Sequence, residues 1–171
     1  AKGGDPSPVL ERIGRSLDMD AIAGMAELGL LGIVIPEEYG GAGLDFVSEA
    51  LVCEEIERGE AAFRTLISVH VGLNSLTLLR YADEEQKQRY LAPQARGDKL
   101  ACFGLTEPAA GSDVAGMLTN ARREEDTYIL NGQKRFTTSA HYADYMWLAA
   151  RTDASVPKHR GISLFLVDMT L

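Results

Sequence analysis

Cysteine is scarce in this sequence. Cys53 and Cys102 are the only two in 171 residues, and they stand in no C-x-x-C or metal-ligand spacing. A disulfide framework and a thiolate metal site both lack the residues they would need. The three histidines, His70, His141 and His159, share no ligand spacing with acids or cysteines either. There is no Gly-x-x-x-x-Gly-Lys-Ser/Thr loop and no Gly-x-Ser-x-Gly elbow, so the signals of a P-loop and of a nucleophilic serine are missing. Positive charge is in deficit, with 17 Lys and Arg against 25 Asp and Glu and a net charge of −8. That balance disfavours nucleic acid and anionic membranes as partners, while leaving room for a local basic contact with a phosphate. No secretory h-region follows a basic start, no apolar run of membrane length is found, and no repeat or low-complexity segment occurs. At this level the expectation is a soluble, cytoplasmic protein of one domain or two small ones.

The residues that are present change period near Gly97. Val9, Ile13 and Leu17 lie four apart after Pro8 and predict a short amphipathic helix. Asp18 is placed to cap a second helix carrying Ile22, Met25, Ala26 and Leu28, with Gly29 and Gly32 breaking it. Asp45 is the expected N-cap of a helix running to Gly59, with Val47, Leu51 and Ile56 inward. Over 61–81 apolar residues fall almost all round, which predicts a buried helix. Asp83-Glu84-Glu85 opens a polar helix with its acids at the positive end of the dipole, expected to end near Ala92-Pro93. After Gly97 the alternation becomes strand-like, over 99–106, 117–123, 128–130, 145–150 and 162–167. Helices followed by strands argue for an α+β chain of two domains, helical over 1–97 and β over 98–171.

The chemistry-bearing string is Gly-Leu-Thr-Glu-Pro-Ala-Ala-Gly-Ser-Asp-Val-Ala-Gly at 104–116, directly after the apolar run Leu100-Ala101-Cys102-Phe103. A loop this poor in bulk exposes backbone N–H groups, and Gly111 permits close approach of a ligand. Thr106 and Ser112 add hydroxyls, so the loop suits a phosphate or pyrophosphate; an ordinary strand-to-loop turn is the competing reading. Position by position this string resembles the signature of the acyl-CoA dehydrogenase family. Ile35-Pro36-Glu37-Glu38-Tyr39-Gly40-Gly41-Ala42-Gly43-Leu44 is similar to that family's amino-terminal loop. Glu84-Glu85-Gln86-Lys87 and Arg89-Tyr90-Leu91 resemble the helix before the signature. Asn131-Gly132-Gln133-Lys134 and Phe136-Thr137-Thr138 resemble the strands after it.

The resemblance implies FAD-dependent α,β-dehydrogenation of an acyl-CoA thioester, in fatty acid or amino acid catabolism. It implies an all-helical amino-terminal domain and an antiparallel β-domain, here incomplete at Leu171, with the family's carboxy-terminal four-helix domain absent. The glutamate base of the family comes from that last domain, so no residue of this sequence is assigned as catalytic. Glu107 is instead read as structural, accepting backbone hydrogen bonds, and Asp113 as an Asx-type turn or cap. The cofactor-binding residues implied are Phe103, Leu105, Thr106, Gly111 and Ser112, then Phe136, Thr137 and Thr138. Thr106 would bond the pyrimidine side of the flavin, and Ser112 would reach the pyrophosphate and lie near bound acyl-CoA. Phe136 would stack beside the ring while Thr138 bonds its reducible nitrogen. Phe136 stands where tryptophan is commoner in the family, which keeps an apolar face and loses an indole N–H. A core aromatic on a strand and a strand-end hydroxyl are the competing readings for Phe136 and Thr138.

Phe63-Arg64-Thr65 with Ser68-Val69-His70 is similar to the glutaryl-CoA dehydrogenase subgroup, which implies that Arg64 and Thr65 hold a distal carboxylate. A solvated arginine near a helix start is the competing reading, and His70 is read as a hydrogen-bonded core histidine. The partners implied are acyl-CoA, an electron-transfer flavoprotein or similar acceptor, and further copies of the chain in a tetramer or dimer. An acyl-CoA oxidase, a nitroalkane oxidase, a flavin-dependent hydroxylase, and a non-catalytic fragment unable to retain FAD all stay open.

Overall fold

A computed structural model describes residues 18–170, which divide into two units between Asp98 and Lys99. The helix expected around Val9, Ile13 and Leu17 lies outside the described residues. In the helical unit, α1 (Met19–Glu27) starts where Asp18 Oδ1 accepts the N–H groups of Asp20 and Ala21 at 3.0 and 3.2 Å. It buries Ile22 and Met25 and stops at Gly29, whose φ of 75° takes the chain left-handed. The loop that follows folds onto itself. Ala42 N–H donates to Gly32 O, Gly43 N–H to Ile35 O and Leu44 N–H to Ile33 O, all at 2.9 Å. Tyr39 is buried under this loop, and its hydroxyl donates to Glu84 Oε2 at 2.9 Å.

Asp45 caps α2 (Phe46–Gly59), accepting Ser48 N–H at 2.8 Å. The inward face expected on this helix is absent: none of its residues is buried, and Val47 and Leu51 are 68% and 59% exposed. Periodicity records an apolar stripe, but it cannot record whether a neighbour covers it.

The next helix, α3 (Ala61–Tyr81), corrects a second expectation, because it is buried on one side only. Leu66, Ile67, His70, Val71, Asn74, Ser75 and Leu78 are buried, while Leu73 and Tyr81 are exposed. The buried pairs recur every four residues, a spacing that would drift by about 40° per turn on a regular α-helix. Wide i→i+5 turns over Ser68–Ser75 unwind the helix and keep that stripe on one face. By length and mean hydropathy alone α3 qualifies as a membrane-crossing helix, against the expectation that no such run occurs. Its buried face carries His70, Asn74 and Ser75, and His70 Nε2 lies 2.9 Å from Gln94 O on the following helix, the pattern of a core helix.

That following helix, α4, spans 84–96 and opens with a reciprocal capping box between Asp83 and Gln86. It continues past the expected end near Ala92-Pro93. Wide turns over Lys87–Leu91 precede the proline, which has no N–H to give, and left-handed Gly97 (φ 78°) closes the helix. Burial holds His70 below its ordinary pKa. Between those two values the unfolded chain takes up a proton that the folded chain refuses. Stability of the helical unit is therefore expected to fall as pH drops below about 6.5. His70→Gln is expected to remove that slope in urea midpoints; an unchanged slope would contradict the assignment.

In the β unit, β1 (Ala101–Gly104), β2 (Asn120–Glu124), β3 (Thr127–Asn131), β4 (Tyr145–Arg151) and β5 (Ile162–Asp168) form one sheet. β4 is its centre. β5 pairs antiparallel along its whole length, from Tyr145↔Asp168 to Arg151↔Ile162. β1 pairs with it in parallel from Ala101↔Tyr145 to Gly104↔Leu148, and β2 touches it in parallel at Asn120↔Arg151. Only the β2–β3 and β4–β5 pairs are antiparallel. The sheet is thus mixed, correcting the antiparallel expectation, because the long connection after β1 lets β4 return in the same direction. Residues 117–119, expected to begin a strand, are irregular. Met117 there packs into a small core with Ala110 and Ala149, beside Leu105, Val114 and Ile162.

Candidate functional site

The string at 104–116 leaves β1 and turns at once. Glu107 N–H donates to Ala110 O at 2.9 Å and Ala110 N–H returns to Glu107 O at 3.3 Å, with exposed Pro108 and Ala109 at the tip. Proline at the first turning position presets φ for such a reversal. A short 3₁₀ turn, Val114–Gly116, follows, and Arg151 of β4 secures it: its Nη2 donates to Ala115 O at 2.6 Å. Asp113 makes no side-chain cap on that turn. Its carboxylate takes Lys158 Nζ at 2.8 and 3.0 Å in an exposed pair that holds its pKa below the ordinary value.

Glu107 is the anchor of the loop. Its Oε2 accepts Leu118 N–H at 2.6 Å, and its Oε1 accepts Thr119 N–H at 3.0 Å and Lys134 Nζ at 2.8 Å. The two side chains of this ion pair are only 4% and 7% exposed. Burial pushes the Glu107 pKa up, yet the Lys134 ammonium and the Leu118 and Thr119 donors outweigh it and bring the value down to about 2. A carboxylate held this firmly in its charged form is a poor base. The residue is structural, accepting from the backbone donors of Leu118 and Thr119.

Lys134 also donates to Leu105 O at 3.1 Å, and Arg135 N–H donates to Thr106 O at 2.8 Å. The segment after β3 is thereby bound to the loop after β1. Gly132 sits so close to Thr119 that a Cβ there would lie 2.3 Å from its Oγ1, which is why glycine occupies the approach. Phe136, Thr137 and Thr138 lie in irregular chain between β3 and β4, not on a strand as expected. Phe136 holds φ at 55° and Ser139 at 64°, conformations that side chains adopt at a cost of order 1–3 kcal/mol. The Phe136 ring is 81% exposed, with the Arg135 guanidinium 4.7 Å from its centroid. It is no core aromatic.

The structure brings Leu105, Thr106, Phe136, Thr137 and Thr138 into two adjoining segments of one unit, with half-buried Phe103 opposite Trp147 in the sheet leading into them. Gly111 and Ser112 are exposed further along the loop. Among the described residues, the hydroxyls of Thr106, Ser112, Thr137 and Thr138 make no hydrogen bond to the protein. Arg64 and Thr65 belong to the helical unit. Arg64 Nε donates to Glu57 Oε2, its Nη1 and Nη2 have no partner among the described residues, and Thr65 Oγ1 donates to Ala61 O at 3.0 Å. An open pocket of 310 Å³ is lined by the Glu107 turn with Leu118, Thr119, Asn120, Asn131 and Gln133, and includes none of the expected flavin-contacting side chains. Sequence reasoning missed Lys134 and Arg135 as the staple of the site, since only long-range pairing reveals it. Among the described residues no group of three or more metal-ligating side chains occurs, and both cysteines are free.

Residues 7–98 match the acyl-CoA dehydrogenase N-terminal domain and residues 102–171 match the acyl-CoA dehydrogenase middle domain. The chain is 43% identical over 145 residues to the short-chain specific acyl-CoA dehydrogenase, mitochondrial, of Homo sapiens, covering 85% of this chain and 35% of that protein. Among solved structures it is similar to butyryl-CoA dehydrogenase from Megasphaera elsdenii, with a TM-score of 0.84 at 37% identity, over 88% of this chain and 40% of that one. It is likewise similar to a glutaryl-CoA dehydrogenase from Mycobacterium smegmatis in complex with FADH2, with a TM-score of 0.81 at 41% identity, over 89% and 38% of the two chains. The chain thus spans well under half the length of these relatives. With both domains matched in order across most of its residues, the chain belongs to the acyl-CoA dehydrogenase family.

Proposed function

We propose that this chain supplies the flavin face of an FAD-dependent acyl-CoA dehydrogenase, the α,β-oxidation of an acyl thioester being the activity of the whole protein. The observation that carries the reading is the set of uncommitted hydroxyls at Thr106 and Thr138, on two segments tied together by Lys134 and Arg135. Hydroxyls left without protein partners fit a ligand rich in acceptors, and FAD is one. When bound, the flavin supplies the hydride acceptor. The chain's own task is orientation. Thr106 donates toward the pyrimidine side, Thr138 toward the reducible nitrogen, and exposed Phe136 offers an apolar face for the ring. Ser112, next to Gly111 in a loop without bulk, reaches for the pyrophosphate.

Glu107 does not suit the α-proton abstraction, since it is locked as a carboxylate in its ion pair. In the whole protein an electron-transfer flavoprotein takes the electrons, and the assembly is a tetramer or dimer. Arg64 supports an acyl group with a distal carboxylate, because Glu57 engages only its Nε and the two terminal nitrogens face no described partner. The test is anaerobic addition of butyryl-CoA or glutaryl-CoA to the flavin-loaded protein. The 171-residue chain is expected to hold flavin that stays coloured. Bleaching by the 171-residue chain alone would mean that a base lies within it and would contradict the reading that no residue of this sequence is catalytic.

A further inference from the structure

Three consecutive residues, Leu105, Thr106 and Glu107, are each gripped by one of two consecutive residues, Lys134 and Arg135. Lys134 Nζ takes Leu105 O at 3.1 Å and Glu107 Oε1 at 2.8 Å, flanking Thr106 on both sides. Arg135 N–H takes Thr106 O itself at 2.8 Å. Phe136, with its left-handed φ, follows Arg135 directly. The Lys134 side chain is 7% exposed, and each of the other ion pairs among the described residues has a partner at least 38% exposed. Burying an ammonium costs desolvation that an apolar side chain would avoid, so packing alone does not call for lysine here. What lysine adds is direction, since its donors fix two acceptors on either side of Thr106 on the opposite segment.

We propose that Lys134 is a positioning residue for the flavin site, setting the spacing between the Thr106 hydroxyl and the Phe136–Thr138 segment. The proposal rests on the flavin reading above. Through Lys134 the two segments are preorganised, so a ligand that touches both does not have to order them on binding.

The experiment combines amide hydrogen exchange with FAD titration on the 171-residue chain, comparing wild type, Lys134→Met and Lys134→Arg. In Lys134→Met the Arg135 and Leu118 amides are expected to lose protection while β4 and β5 amides keep theirs. FAD affinity falls at least about tenfold, and the visible bands of the bound flavin shift. Lys134→Arg, which retains charge and donors, restores both readouts in part. If Lys134→Met also loses protection in β4 and β5, Lys134→Gln takes its place with the same readouts. Unchanged Arg135 protection, or FAD affinity and bands equal to wild type, overturns the proposal alone. A wild-type chain that binds no FAD overturns the flavin reading, and the positioning role falls with it.

Discussion

Glu107→Ala is expected to destabilise the β unit by roughly 3–5 kcal/mol, the loss typical of removing one member of a buried ion pair. Three donors lose their acceptor at once: Lys134 Nζ and the N–H groups of Leu118 and Thr119. Lys134 keeps only Leu105 O, and its ammonium is left in a setting almost closed to water. The irregular stretch 117–119 has no other bonds for those two amides among the described residues, so Met117 should also lose its place between Ala110 and Ala149. The same anchor gives an acid dependence. Glu107 is held at about 2 in the fold against an ordinary value of 4.5, so its stabilising share is complete above about pH 4.5. That share is lost progressively as pH falls from there toward about 2. Denaturant unfolding followed by the single tryptophan, Trp147 of β4, reads both effects. A loss under about 1 kcal/mol for the alanine variant would show that the carboxylate is dispensable.

Gly41→Ala is expected to have the largest effect in the helical unit. A Cβ at Gly41 would lie 2.1 Å from Ile35 O and 2.6 Å from Gly32 O, both backbone atoms that cannot swing aside. The backbones also pack closely at Gly32, where a Cβ would lie 2.5 Å from Ala95 O and 3.0 Å from Gly41 Cα. The chain would have to open the bonds from Ala42, Gly43 and Leu44 that close the loop. A cost of about 3 kcal/mol or more follows from overpacking of this kind, enough to expose Tyr39. Thermal unfolding of the variant checks it; a midpoint equal to wild type would mean that the loop yields more easily than its contacts imply.

The local features were legible in the sequence for a physical reason. Asp18, Asp45 and Asp83 cap helices through N–H groups two or three residues away, so cap and consequence sit in one short window. Strand-like alternation likewise located β3, β4 and β5 to within a residue or two. Features set by distant partners were not legible. Nothing near Glu107 names Lys134, which is 27 residues away, and nothing in β1 records that β4 runs parallel to it. The four-residue repeat in α3 was visible as general apolarity, but its confinement to one face depends on the wide turns at Ser68–Ser75. At the site, the family's string pointed to Thr106 and Thr138 as residues but did not name the backbone that presents them. The left-handed φ of Phe136 and Ser139 belongs to no sequence rule for phenylalanine or serine.

The central claim is that the two bound segments form a flavin face, and FAD titration of the purified 171-residue chain tests it most directly. Flavin fluorescence is expected to quench saturably with wild type. Thr106→Val and Thr138→Val, each removing one uncommitted hydroxyl and leaving the unfolding midpoint in place, are expected to weaken binding about tenfold. Quenching that never saturates, or valine variants that bind as wild type does, would contradict the account.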